Sequence, residues 1–413
     1  MRRSTDHILT THVGSLPRPQ DVVDLIRAQD AGESYDLAKW DEVMPRAVQD
    51  AVNQQSEAGL DIINDGEMAK VGYATYMRHR LTGFELGDVP RATPQDLDDY
   101  PDYRDKIAAA GDTPKYKRPI CKGPIKVKDL KPLHDDIARL QKALAQAKIP
   151  EGFMTAASPG TIAVFQPNEY YPSHEAYLEA LAEAMREEYE TIVKSGLVLQ
   201  IDCPDLAMGR HIRFRGVDDA EFVRNATLQV EAMNHALANV PADRVRFHVC
   251  WGNYEGPHHR DIPFAKIARV VLKAKPMGML LEASNPCHEH EWEIWKTLRL
   301  PENKVLIPGV IDSTCNYIEH PELVGRERVM AGTDCGFGTF AGFGKVHPTI
   351  CWQKMRSLAE GARRATKKLW ARPAKKKAAA AKPAKKTAVK KVAAKKIAAK
   401  KASAKKKRPV RAR

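Results

Sequence analysis

The chain has no apolar run approaching the 18 or so uncharged residues of a membrane span, and its opening residues, MRRSTDHILTTHVGSL, lack the apolar core of a secretory signal peptide. Seven cysteines (Cys121, Cys203, Cys250, Cys287, Cys315, Cys335 and Cys351) are an odd number at wide spacings. That pattern argues against a disulfide framework and for a reducing, cytoplasmic setting. No GxGxxG follows the first β-rich run, so the usual dinucleotide-binding signature is missing. Acids are absent from residues 366–413, which hold 17 Lys and 4 Arg and account for the formal net charge of +14. Without that segment, 45 bases face 52 acids: a mildly acidic body carries a separate basic tail.

What is present is alternation. Eight short β-rich runs end in polar or Gly-Pro residues, at 8–15, 60–67, 153–160, 197–204, 245–253, 278–286, 304–312 and 328–338. Helical patterns at 175–195, 218–239 and 262–275 lie between them. Near-continuous apolar strands alternating with helices predict a parallel sheet covered by helices, and the count of eight predicts closure into an α/β (β/α)8 TIM barrel over residues 1–365. The active site of such a barrel sits at the carboxyl ends of its strands. The stretch from about 71 to 152 is too long for one crossover helix. It reads as an insertion after strand two, with a charged, Pro-punctuated piece at 88–118, a strand or hairpin at 119–128 and an amphipathic helix at 132–148.

In the tail, lysine pairs recur every five residues from 385/386 to 405/406. A five-residue step turns about 140° around a helix, so the charge wraps every face and leaves no stripe to bury. Residues 366–413 are therefore expected to be disordered, similar to the Lys/Ala-rich tails of linker-histone-like proteins. They would bind nucleic acid or another polyanion without reading bases, and could tether the protein to a nucleoid. A DNA-associated protein acting through this tail is a second functional class.

The chemistry lies in four residues: His248 and Cys250 in FHVCWGN, Glu282 in LLEASNP and Cys335 in AGTDCGFG. On a strand, residues two apart leave on one face, so His248 and Cys250 can grip one ion. Glu282 and Cys335 fall at the ends of two further runs. One imidazole, two thiolates and a carboxylate make a tetrahedral zinc set, in which the carboxylate is the ligand an incoming thiol can displace. Zinc would hold such a thiol as a nucleophilic anion, so the site predicts alkylation of a small thiol by a methyl or alkyl donor. Gly14 and Ser15 can offer main-chain N–H groups and a hydroxyl to a substrate carboxylate. Glu67 and Asp202, at strand ends, suit a substrate ammonium as catalytic and binding acids. Asp65, Asp312 and Asp334 occupy similar positions and are candidates to support the ligands.

The ordered series HVGSLPRP, DGE, LQID-x-P, H-x-C, LEAS, PGVID and DCG, over about residues 5–360, resembles the catalytic C-terminal barrel of cobalamin-independent methionine synthases. The resemblance implies zinc on His248, Cys250, Glu282 and Cys335, and an amino-acid thiol held by the Gly14-Ser15 segment, Glu67 and Asp202. It further implies methyl transfer from a methylated folate to homocysteine. Three departures bear on the donor: the chain begins at the catalytic barrel, Cys203 replaces the Glu of the family's D-E-P, and Thr314 replaces a His two residues after Asp312. LQIDCPDLAM and HVCWGN are also similar to epoxyalkane:coenzyme M transferases. For the sulfonate of coenzyme M, that alternative would use Arg210, His211 and Arg213.

Overall fold

The computed structural model describes residues 1–87, 93–109, 118–320 and 330–370. A five-stranded parallel sheet runs in sequence order, β3 (Phe153–Ala157), β4 (Val198–Asp202), β5 (Val245–Val249), β6 (Gly278–Leu281) and β7 (Val305–Pro308). Strands β3 to β6 are buried along their whole length, as sheets covered on both faces require. Helices Pro159–Phe165 and His174–Lys194 connect β3 to β4, Asp219–Ala236 connects β4 to β5, and Phe264–Val271 connects β5 to β6. Local sequence sets their starts, because Ser158, Ser173 and Asp218 accept from the backbone N–H three residues on.

The pairing continues beyond both edges of this sheet through single residues. Ile63 bridges Gly152, Gly309 bridges Gly332 and Thr10 bridges Ala331, all in parallel. The Asp61 and Ile62 N–H groups both donate to the Thr10 carbonyl. The runs expected as strands at 8–15 and 60–67 are thus present as extended segments rather than full ladders. The physical reason is side-chain substitution, since Asp61 Oδ2 accepts both the Thr10 N–H and its hydroxyl at 2.9 Å.

Two apolar clusters follow the strand alternation. Met154, Leu199 and Leu281 pack with the helices in the larger one. Their strand neighbours Phe153, Val198 and Leu280 pack in a second with Leu9, Ile62, Ile307 and Met330.

The insertion contains β1 (Phe84–Gly87) paired antiparallel with β2 (Arg118–Cys121). It also holds a turn at Gln95–Asp99, a helix at Pro101–Ala109 and the expected amphipathic helix at Lys131–Ala147. Arg80 ties it to the body, within hydrogen-bond distance of Asp136 (2.7 Å) and Glu188 (3.0 Å).

The last helix, Pro348–Leu369, corrects the expected start of the tail at residue 366. Thr366 accepts the Ile8 N–H and the Trp370 indole donates to the Thr5 carbonyl, so these residues are held by the body. The described residues through Trp370 belong to one compact unit. From 371 onward the expected polycation and its nucleic-acid partner lie outside the described residues. Among the described residues, no helix is long and apolar enough to cross a membrane.

Candidate metal centre and substrate cleft

His248 lies in β5 and Cys250 just past its end, while Cys335 arrives on the turn after the Ala331–Gly332 bridges. Ligand atoms of these three buried side chains lie within 4.8 Å of one another. Neither ring nitrogen of His248 has a hydrogen-bond partner, although both are buried. Such orphaned buried polar atoms need an explanation, and a cation supplies one. The two thiols divide their roles. Cys335 is held well below the usual thiol range, first by the Cys250 thiol beside it and then by His248. Cys250 is pushed well above it by sharing with Cys335 and by burial. Burial pulls His248 down, but Cys335, with Asp202 and Asp334, more than offsets this and leaves it raised.

Glu282 stands beside this trio but outside the set within 4.8 Å. Its Oε1 accepts the Trp251 N–H at 3.1 Å and its Oε2 the Asn285 amide at 2.7 Å. Burial, followed by Asp334 and Cys335, pushes its carboxyl well above the ordinary range. The Glu282 loop is anchored by Asp334, which accepts the N–H groups of Ala283, Ser284 and Asn285 at 2.8–3.1 Å. Burial raises Asp334 to about 7. Asp312 instead closes its own turn onto Thr314, and Asp65 accepts the Glu67 N–H.

A cleft of about 150 Å³ opens over the trio, and Ser15, Glu67, Asp202, His248, Cys250 and Cys335 all line it. Asp202 and His248 are register partners across β4 and β5. Burial, then the Glu67 charge, raises Asp202 to about 7. Glu67 sits at φ 58°, a left-handed backbone rare outside glycine, and is held there from both sides. Arg18 donates to its carbonyl at 2.8 Å, and Thr155 donates to its Oε1 at 2.8 Å. Gly14 fits against this pair because a Cβ there would meet Thr155 at 2.6 Å and Glu67 Oε1 at 3.1 Å.

Several walls of the cleft were not found from the sequence. Tyr73, Met208, Tyr254 and Phe340 make an apolar side, and Leu97 and Arg104 come from the insertion. Only the unusual length of the 71–152 stretch pointed to the last two. Arg210, His211 and Arg213 do not line the cleft. His211 is turned to Asp261 at 2.5 Å.

Fold and site together define an α/β protein with a candidate imidazole–dithiol metal centre at the carboxyl ends of a parallel sheet. Among known proteins, the chain is similar to methionine synthases. It is 25% identical over 372 residues to that of Saccharolobus solfataricus, covering 85% of this chain and 93% of the relative. It is 27% identical over 367 residues to that of Sulfolobus acidocaldarius, covering 85% and 90%. In fold it matches a B12-independent methionine synthase from Shewanella sp. W3-18-1, solved with selenomethionine, at a TM-score of 0.67 and 18% identity, over 88% of this chain and 99% of that one. No protein-family model matches. These relatives are of the family expected from the motifs, and are matched along nearly their whole length.

Proposed function

We propose that the chain is a zinc-dependent thiol methyltransferase that methylates homocysteine or a similar small amino-acid thiol. The observation that carries this reading is the single cleft in which His248, Cys250 and Cys335 meet Glu67 and Asp202. His248, Cys250 and Cys335 would hold the ion, with Glu282 as the carboxylate that closes the set or yields to substrate. When bound, zinc would lower the pKa of a substrate thiol and present it as a thiolate. Glu67 and Asp202 would pair with the substrate ammonium, and the Gly14-Ser15 main chain with its carboxylate. The apolar side walls would exclude water and align the methyl donor in line with the sulfur.

The proposed scaffold is a closed (β/α)8 barrel over residues 1–370 with the 71–152 insertion at its mouth. The bridges Thr10–Ala331, Ile63–Gly152 and Gly309–Gly332 support closure. The second apolar cluster supports it too, drawing residues from seven of the eight expected strands. A cytoplasmic enzyme with a polycationic tail at 371–413 completes the reading.

The test combines metal content with product mass spectrometry. About one cysteine-dependent zinc per chain is expected, with S-methylation of homocysteine when methylfolate, methylcobalamin and simpler donors are offered in parallel. Cys335→Ser should abolish both that cysteine-dependent zinc and the methylation. Full activity in that variant, or transfer only to coenzyme M from an epoxide, would overturn the proposal.

A further inference from the structure

Beyond the dithiol site, three histidines surround one carboxylate. Asp261 Oδ2 lies 2.8 Å from His258 Nδ1 and 2.8 Å from His288 Nε2, while its Oδ1 lies 2.5 Å from His211 Nε2. The side chains of His258, Asp261 and His288 are 9%, 5% and 4% exposed, and that of His211 is fully buried.

The ring environments determine what lies between these atoms. His258 Nε2 faces the Tyr254 carbonyl at 3.1 Å, an acceptor, so that nitrogen carries the ring proton. Nδ1 then faces a carboxylate oxygen, so either a proton, which makes the ring an imidazolium, or a metal ion lies between them. A second ring nitrogen, His288 Nε2, converges on the same oxygen. The far nitrogen of His288 is buried without a hydrogen bond, and the Glu291 carboxylate lies 3.9 Å from it. His258 has the arrangement of a ligating histidine, one nitrogen turned to the candidate ion position and the other on a backbone carbonyl. His258 is also held at φ 53°, with its N–H donated to Asp96 at 2.8 Å.

We propose that His258 Nδ1, His288 Nε2 and Asp261 Oδ2 form a second metal site, for a divalent ion of the zinc and cobalt class, with water completing the shell. His211 positions Asp261 from the other oxygen. Donor atoms on a tetrahedral ion at about 2.0–2.2 Å stand roughly 3.3–3.6 Å apart, so the present 2.8 Å contacts need to open by about 0.5–0.8 Å. Bound there, the ion would fix the loop carrying Asn253 and Tyr254, two walls of the cleft. His288 stacks on Trp251 at 4.0 Å, next in sequence to Cys250. The inference does not depend on the dithiol site.

The test is cobalt(II) titration of the metal-free full chain, with zinc content measured in parallel. Near-ultraviolet thiolate-to-cobalt absorption should saturate at one equivalent, while visible ligand-field absorption grows to two. His258→Gln with Asp261→Asn should remove one equivalent and leave the thiolate band. A double Cys250→Ser, Cys335→Ser variant should keep one equivalent without that band. If both signals of the unaltered chain stop together at one equivalent, the cluster is a proton-held knot and the proposal fails. Ligand-field absorption without any thiolate band would keep this site and remove the dithiol one.

Discussion

Asp202 and His248 stand opposite each other at the carboxyl ends of β4 and β5, so one sheet register places a candidate substrate acid next to a candidate metal ligand. Substrate ammonium and substrate sulfur would therefore be fixed by neighbouring strands, which are the most rigid supports available.

The first prediction concerns that acid. Burial and the Glu67 charge raise Asp202 to about 7, a value that a zinc ion on the neighbouring His248 would draw down, so the carboxylate that attracts an ammonium forms as pH rises toward neutrality. The KM for an amino-acid thiol should fall as pH rises across that range. Asp202→Asn should flatten the dependence and raise KM about 10- to 150-fold, the equivalent of a charge-assisted hydrogen bond of about 1.5–3 kcal/mol. Steady-state kinetics with homocysteine across pH would decide, and an unchanged KM would remove Asp202 from substrate binding.

Gly14→Ala tests the close approach beside Glu67. Its φ of 148° and a Cβ that would stand 2.6 Å from Thr155 force either strain or displacement of the Thr155–Glu67 hydrogen bond. A loss of about 1–3 kcal/mol in urea unfolding is expected, together with a raised thiol KM. A variant as stable and as tight-binding as the parent would show that the glycine has no such role.

What could be read in the sequence followed from short periods. His248 and Cys250 were legible because a spacing of two on a strand fixes one face, and β3 to β7 because apolar runs between helical patterns have few alternatives. The edge segments were less legible, since Asp61 and Thr10 replace ladder bonds with side-chain bonds that no periodicity announces. The strained backbone of Glu67 was invisible because the chain spells only DGE there. The Asp261 cluster was invisible for another reason: His211, His258 and His288 are far apart in sequence, and His211 reads only, with Arg210 and Arg213, as a sulfonate contact.

Asp205, which does not line the cleft, supplies a further pH test. It is buried, accepts from the Ser158 and Thr161 hydroxyls at 2.7 Å, and is raised from 3.8 to about 6, chiefly by burial. The folded chain therefore holds this proton more tightly than the unfolded one. Its contribution to stability is present below about pH 4 and is lost as pH rises to about 6. Asp205→Asn keeps an acceptor for both hydroxyls and cannot ionise. Between pH 4 and 7 it should gain on the parent by up to about 3 kcal/mol, at about 1.4 kcal/mol per unit. Parallel urea-midpoint curves for the two proteins would contradict this.

Asp334 tests whether the Glu282 loop supports the metal. Its carboxylate gathers three successive N–H groups at 2.8–3.1 Å, and one oxygen also accepts the Asn285 amide that holds Glu282. Removing it in Asp334→Ala leaves those donors without an acceptor and frees the loop. Metal affinity should fall about 10- to 100-fold, the usual effect of losing a partner that orients a ligand. Asp334→Asn retains one acceptor oxygen and should lose less. Chelator competition on the purified variants measures this directly, with circular dichroism reporting the fold. A folded Asp334→Ala protein that holds zinc as tightly as the parent would mean that the Asp334 anchor takes no part in presenting Glu282 to the ion.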